Sequence, residues 1–178
     1  MKAWKSEQDD LYTAETVVFG CGNTLFGDDG FGPAVIGELQ DRNDLPPGVV
    51  LVDAGTGIRE YLFDYLLDAG SAPNRLIFLD GTDQAGRRPG EVFVMDPDQI
   101  SAPKAHDFSL HQAPTLNLLG EIVAHTDIRV NLVVARMDQI PDHVAPGLSP
   151  VMEMAVREAG KLVWQMIAED DGVENRGR

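Results

Sequence analysis

Three aspartates and a histidine carry the chemistry open to this chain. Asp29 lies in a glycine-rich stretch, "GCGNTLFGDDGFG" (20–32), Asp53 in "VDAGTG", Asp80 in "FLDGTDQAG" and His111 in "KAHDFSLHQAP". Carboxylates gathered at one place repel one another unless a cation or a proton is shared. Two Asp with one His offer hard oxygens and a borderline nitrogen, a set suited to a divalent transition metal with open positions. Each residue also has a plainer role. Asp28 or Asp29 fits as a cap for a helix beginning near Phe31, where free N–H groups and the positive dipole end meet a carboxylate. Asp53 and Asp80, each shortly before a glycine, fit as turn residues. Among the other histidines, His106 shares the loop with His111, His125 ends a helical pattern, and His143 lies in "PDHVAPGLSP".

Other chemistries fail on the letters. From Gly20 a dinucleotide fingerprint needs glycine at the sixth position, where Leu25 stands. A phosphate loop needs Gly-Lys-Ser/Thr at the helix start, but this chain has Asp29-Gly30-Phe31, and carboxylates there oppose an anion. The G-x-S-x-G elbow and the H-E-x-x-H helix are both absent. Cys21 is the single cysteine, so an intrachain disulfide and a cysteine zinc cage are excluded. It reads as a small core residue near a strand end; a cysteine hydrolase pairing Cys21 with His111 is the weakest of the enzymatic readings.

Positioning such residues takes a scaffold, and 178 residues suffice for one domain that buries about two thirds of its unfolded surface. Beta-branched and aromatic runs occur at 16–20 (TVVFG), 49–53 (VVLVD), 75–80 (RLIFLD), 91–95 (EVFVM) and 129–135 (RVNLVVA). Most are continuously apolar, as strands covered on both faces must be. Helical periodicity falls between them, through Phe31, Val35 and Leu39; through Ile58, Tyr61, Leu62, Tyr65 and Leu66; and through Leu116, Leu119 and Val123. A last helix, with Ser149 as N-cap and Pro150 at its first position, turns Met152, Val156, Ala159, Val163 and Met166 inward. This alternation predicts an α/β fold, a three-layer α/β/α sandwich around a mostly parallel sheet of about five strands. The link between 75–80 and 91–95 is too short for a crossover helix, so strand 91–95 is expected antiparallel. Residues 1–15 read as an N-terminal extension, 16–168 as the single domain and 169–178 as an acidic flexible tail. In such sheets ligands collect at the carboxyl ends of the strands, where the segments bearing Asp29, Asp53 and Asp80 all emerge.

Fourteen Lys and Arg against 29 Asp and Glu give a formal charge of −15. That field repels nucleic acid and anionic membranes. The opening "MKAWKSEQDDLYTAET" has no apolar signal core, and no run approaches the about 18 apolar residues of a membrane span, which points to a cytoplasmic protein.

The stretch "GCGNTLFGDDGFGPAV" resembles the G-x-G-N-x-L-x-x-D-[DE]-G-x-G signature of the hydrogenase maturation endopeptidases, which remove a C-terminal extension from the large subunit of nickel-iron hydrogenases. The similarity continues, in order, through "VDAGTG", "LIFLDGTDQAG", "FSLHQAP" and "GLSPVMEMAV", over roughly residues 16 to 168. The resemblance implies that Asp29, Asp80 and His111 are both the metal ligands and the catalytic residues, and that Asp53 supports the site. It implies that the metal is nickel already held in the precursor large subunit, with another divalent metal able to occupy the site in isolation. It also implies a monomeric enzyme. The same three residues would equally serve a nickel-sensing chaperone that does not cut. Position 29 is Asp where many relatives have Glu, one bond shorter, so metal or backbone must sit closer. "HDFSLHQ" and the acidic surface point to the branch that serves coenzyme F420-reducing hydrogenases.

Overall fold

The computed structural model describes residues 11, 13–42, 44–67, 72–95 and 113–174, with backbone alone for 113–117 and 170–174. His106 and His111 lie outside the described residues, as do most of the N-terminal extension and the end of the tail.

Five strands, β1 (Thr16–Cys21), β2 (Val49–Gly55), β3 (Arg75–Thr82), β4 (Val92–Met95) and β5 (Arg129–Arg136), form one sheet in the order β2-β1-β3-β5-β4. β1 pairs parallel with β2 and β3, and β3 with β5, while β4 runs antiparallel to β5 as its short connection requires. The described helices are α1 (Phe31–Gln40), α2 (Ile58–Leu67), α3 (Ala113–His125) and α4 (Pro150–Glu174). α4 therefore continues past the boundary read at residue 168.

Alternation along the central strands divides the core into two layers. Val17, Phe19, Leu76, Phe78, Leu132 and Val134 pack with Ile58, Leu62, Tyr65 and Leu119 from α2 and α3. Val18, Ile77, Leu79 and Val133 face the other way, onto Phe31, Val35, Leu39, Met152, Val156 and Val163 from α1 and α4. This is the three-layer α/β/α sandwich that the alternating pattern predicts. One helix face differs from its expectation. On α3 the residue buried beside Leu119 is Ile122, whereas Val123 is 38% exposed. Both residues are apolar, so the pattern alone does not choose between them; packing against α2 does.

β1 sits between β2 and β3, so the chain leaves β1 toward one side of the sheet and returns on the other. The crevice at that reversal, at the carboxyl ends of β1 and β3, is where this architecture places ligands.

Candidate active site at the carboxyl ends of β1 and β3

After β1 the chain makes a tight passage. Gly22 has φ +127°, and a Cβ there would stand 1.9 Å from the carbonyl oxygen of Asp29. A Cβ on Gly32 would lie 2.2 Å from the carbonyl oxygen of Cys21 and 2.4 Å from that of Leu79. The start of α1 is thus wedged against the ends of β1 and β3, an approach only glycine permits. Between these glycines, Gly27–Gly30 forms a 3-10 turn that carries Asp28 and Asp29.

Asp28, Asp29 and Asp80 are 2%, 4% and 1% exposed. Ionisable side chains are rarely so buried unless hydrogen-bonded or functional. Asp29 Oδ2 accepts the backbone N–H of Asn23 at 2.9 Å, and Asp80 Oδ1 accepts that of Gly81 at 2.8 Å. Asp80 is no turn residue: β3 continues through it to Thr82, and it pairs with Val134 of β5. The helix-cap role is corrected too. The N-cap of α1 is Gly30, without a side-chain cap bond, so neither Asp28 nor Asp29 caps it.

Asp28 instead reaches across the fold. Its Oδ1 accepts the N–H of Ser149 at 2.7 Å, and its Oδ2 accepts the Ser149 hydroxyl and the N–H of Asp138, each at 3.0 Å. A longer contact of 3.5 Å comes from the N–H of Gln139. Main-chain bonds join the same two segments, from Gly27 N–H to Ala145 at 3.0 Å and from Ala145 N–H to Leu25 at 2.9 Å. Ser149 was expected as an N-cap. Its carbonyl accepts the first amides of α4, from Met152 and Glu153, while its hydroxyl turns to Asp28. Leu25, Ile140 and Val144, in these joined segments, are exposed apolar side chains.

Asp53, like Asp80, lies within a strand, near the end of β2, where it pairs with Gly20 of β1. It is exposed, and its Oδ1 accepts the N–H of Gly55 at 3.1 Å. With Gly22, Asn23, Thr24, Pro33, Gly55 and Thr56 it lines an open pocket of about 230 Å³ beside the turn.

Cys21 ends β1, buried beneath this edge. Burial pushes its thiol well above the ordinary 9.0, and the carboxylates of Asp80 and then Asp53 push it further. A thiol so held is protonated at neutral pH and is a poor nucleophile, which weighs against the cysteine hydrolase. Asp80 and Asp53 are thus both near enough to Cys21 for their charge to be felt there. Among the described residues no three metal-ligating side chains assemble as a group. The structure brings the turn bearing Asp29 to the end of β3 bearing Asp80, where a Cβ on Gly81 would lie 3.5 Å from the Asp28 carbonyl. Two dehydrated carboxylates, each oriented by a backbone amide, are donors that fit a divalent cation or a proton in transit.

Comparison with known proteins decides between holding and cutting. The family model described as hydrogenase maturation protease, HycI, matches residues 33–166, well over half of the chain. The chain belongs to the hydrogenase maturation protease family. The matched stretch contains Asp53, Asp80 and His111, and Asp29 lies just before it. The chain is 32% identical to the coenzyme F420 hydrogenase subunit delta of Methanothermobacter thermautotrophicus, over 91% of this chain and 98% of that one. It is 27% identical to the hydrogenase 2 maturation protease of Escherichia coli, over 89% and 93%. The solved structure of the hydrogenase maturating endopeptidase HybD from E. coli superposes with a TM-score of 0.67, at 25% identity, covering 88% of this chain and 93% of that one. The family is one of enzymes that hydrolyse peptide bonds, and the non-cutting chaperone is set aside. No helix among the described residues is long and apolar enough to cross a membrane.

Proposed function

We propose that this endopeptidase removes the C-terminal extension of a nickel-iron hydrogenase large-subunit precursor after nickel insertion, and that Asp29, Asp80 and His111 meet the nickel held by that substrate. The observation that carries the reading is the pair Asp29 and Asp80. Both are buried at the sheet's ligand-binding edge, and each has one carboxylate oxygen held by a neighbouring backbone amide, in a chain of a maturation protease family. Substrate nickel supplies positive charge, which polarises the scissile carbonyl or acidifies a water. A carboxylate at the edge accepts the proton as water adds to the carbonyl carbon, and the proton passes to the departing amine when the C–N bond breaks. The close packing of the Asp29 carbonyl on Gly22 draws the turn tight, in keeping with an Asp rather than a Glu at position 29. The exposed Leu25, Ile140 and Val144 offer an apolar stretch of precursor a place to rest beside the turn.

The likeness to the F420 hydrogenase subunit delta supports a coenzyme F420-reducing hydrogenase as the partner. The acidic charge supports a protein that handles neither nucleic acid nor membranes, and it is proposed to work in the cytoplasm as a monomer. The test is a mass measurement of purified precursor, with and without nickel, before and after mixing with the enzyme. Loss of the C-terminal peptide is expected from the nickel-loaded precursor alone. Equal cleavage of nickel-free precursor would refute the role given to the metal, and a precursor left uncut in both forms would refute the substrate. His111→Ala is expected to stop processing; normal processing by that variant would shift the third ligand to His106.

A further inference from the structure

The carboxylate of Asp28 does more than the site as described asks of it. It is buried next to Asp29 in the same short turn, yet every hydrogen bond drawn to it comes from a segment 110 or more residues away. Ser149 stands at the entrance of α4, whose Met152, Ala155 and Val156 are sunk in the core, so the far end of the connection is rigid. The near end is the turn itself, which is also tied by the main-chain bonds of Leu25 and Gly27 with Ala145 and by short local bonds, from Phe26 N–H to Asn23, from Asp29 N–H to Phe26, from Asn23 N–H to Asp29 Oδ2 and from Leu25 N–H to Asn23 Oδ1. The Asp28 carbonyl also rests over Gly81, directly after Asp80. Asp28 is therefore the point where the turn, the end of β3 and the entrance of α4 meet. Hydrogen bonds to an ionised acceptor are shorter and stronger than neutral ones, and here several converge on one carboxylate.

We propose that Asp28 is a positioning residue for peptide cleavage: its carboxylate ties the turn to Asp138 and Ser149 and thereby sets where the Asp29 carboxylate stands relative to Asp80. The inference rests on Asp29 being a working carboxylate, as proposed above. Asparagine at position 28 keeps the size but replaces one acceptor oxygen by an N–H₂ donor, which then faces a backbone N–H and can no longer accept it. The turn swings without any change in the residues that act.

The test uses the full chain with Asp28→Asn and Ser149→Ala, at a temperature where circular dichroism shows each variant folded. Three quantities are read: kcat and KM for the nickel-loaded precursor, and the NMR position and hydrogen-exchange protection of the Asn23 amide, which donates to Asp29 Oδ2. For Asp28→Asn, kcat is expected to fall by about ten- to a hundredfold, the usual cost of losing a group that orients a ligand. KM should stay within about twofold, while the Asn23 amide shifts and loses protection. Ser149→Ala removes only the hydroxyl bond and should move the same quantities in the same direction by less. Wild-type kcat in Asp28→Asn overturns the proposal, and so does a lowered kcat with an unmoved Asn23 amide, because the residue then only stabilises the fold. Should Asp28→Asn not fold, Ser149→Ala decides alone: a still Asn23 amide with unchanged kcat overturns the proposal. Should the wild-type enzyme leave the precursor uncut, the substrate reading fails, and the Asn23 amide in the two variants still shows whether Asp28 places Asp29.

Discussion

Two neighbouring parallel strands of the sheet end at this edge, each with an acidic residue close to glycine, and the two ends are built on opposite plans. The turn after β1 buries Asp28 and Asp29, ties both carboxylates to backbone amides, and is wedged so closely that Gly22 and Gly32 have no room for a methyl group. The end of β2 leaves Asp53 exposed, its carboxylate accepting the N–H of Gly55 two positions on, at the rim of an open pocket. A carboxylate in water is cheap to hold and weakly directed. One taken out of water is costly unless its oxygens are engaged, and once engaged it is aimed. The comparison teaches that burial with assigned hydrogen-bond donors, rather than the mere presence of an Asp near glycine, distinguishes the carboxylates proposed to act or to position from the exposed one.

The largest effects should fall on activity. Asp29→Ala and Asp80→Ala are each expected to lower the initial rate on nickel-loaded precursor by at least about a hundredfold, and Asp53→Ala by less than about tenfold. Equal losses at all three positions would break the comparison. Stability comes next. Gly22→Ala forces a methyl into the Asp29 carbonyl at a φ of +127° and should cost about 3 kcal/mol or more in chemical denaturation. Gly55→Ala meets nothing nearer than 3.8 Å and carries only the strain of φ +50°, about 1 kcal/mol. A Gly22→Ala variant as stable as Gly55→Ala would contradict the tight packing of the turn.

The smallest effect is on Cys21. Its thiol titrates above 9.0 in the folded chain, so its contribution to stability is whole below that value and is lost as pH rises through the folded pKa. Removing a neighbouring negative charge should bring the thiol down, by more in Asp80→Asn than in Asp53→Asn, as followed by thiolate absorbance. The reverse order would place Asp53, not Asp80, as the nearer influence. Cys21→Ala should process precursor normally.

Much of the scaffold is legible because it follows local rules. β1, β3 and β5 are buried on both faces, so their continuous apolar runs mark them within a residue or two. The antiparallel β4 follows from chain length alone. Asp80 marks the end of an apolar run, and the strand continues past it because the ladder with β5 is made by backbone groups that any residue supplies. The glycine spacing announces a close approach, and the Asn after Gly22 supplies the amide that holds Asp29. The partners of Asp28 were not legible. They are mainly main-chain N–H groups, which leave no mark in the letters, and they lie far along the chain. Ser149 is the one visible member, and its position before Pro150 fits a helix cap so well that its hydroxyl's other use is concealed. The third member of the expected set, His111, lies outside the described residues.

The bond from Ser149 to Asp28 spans 121 positions of sequence. During synthesis the aspartates of the first turn emerge early, whereas the amides that Asp28 accepts arrive only when most of the chain has been made. Closing so long a loop is among the slower steps available to a domain of this size. The nascent chain thus carries Asp29, Asp53 and Asp80 well before the turn can be locked, and on the role proposed for Asp28 the turn takes its set geometry only once Ser149 has been made.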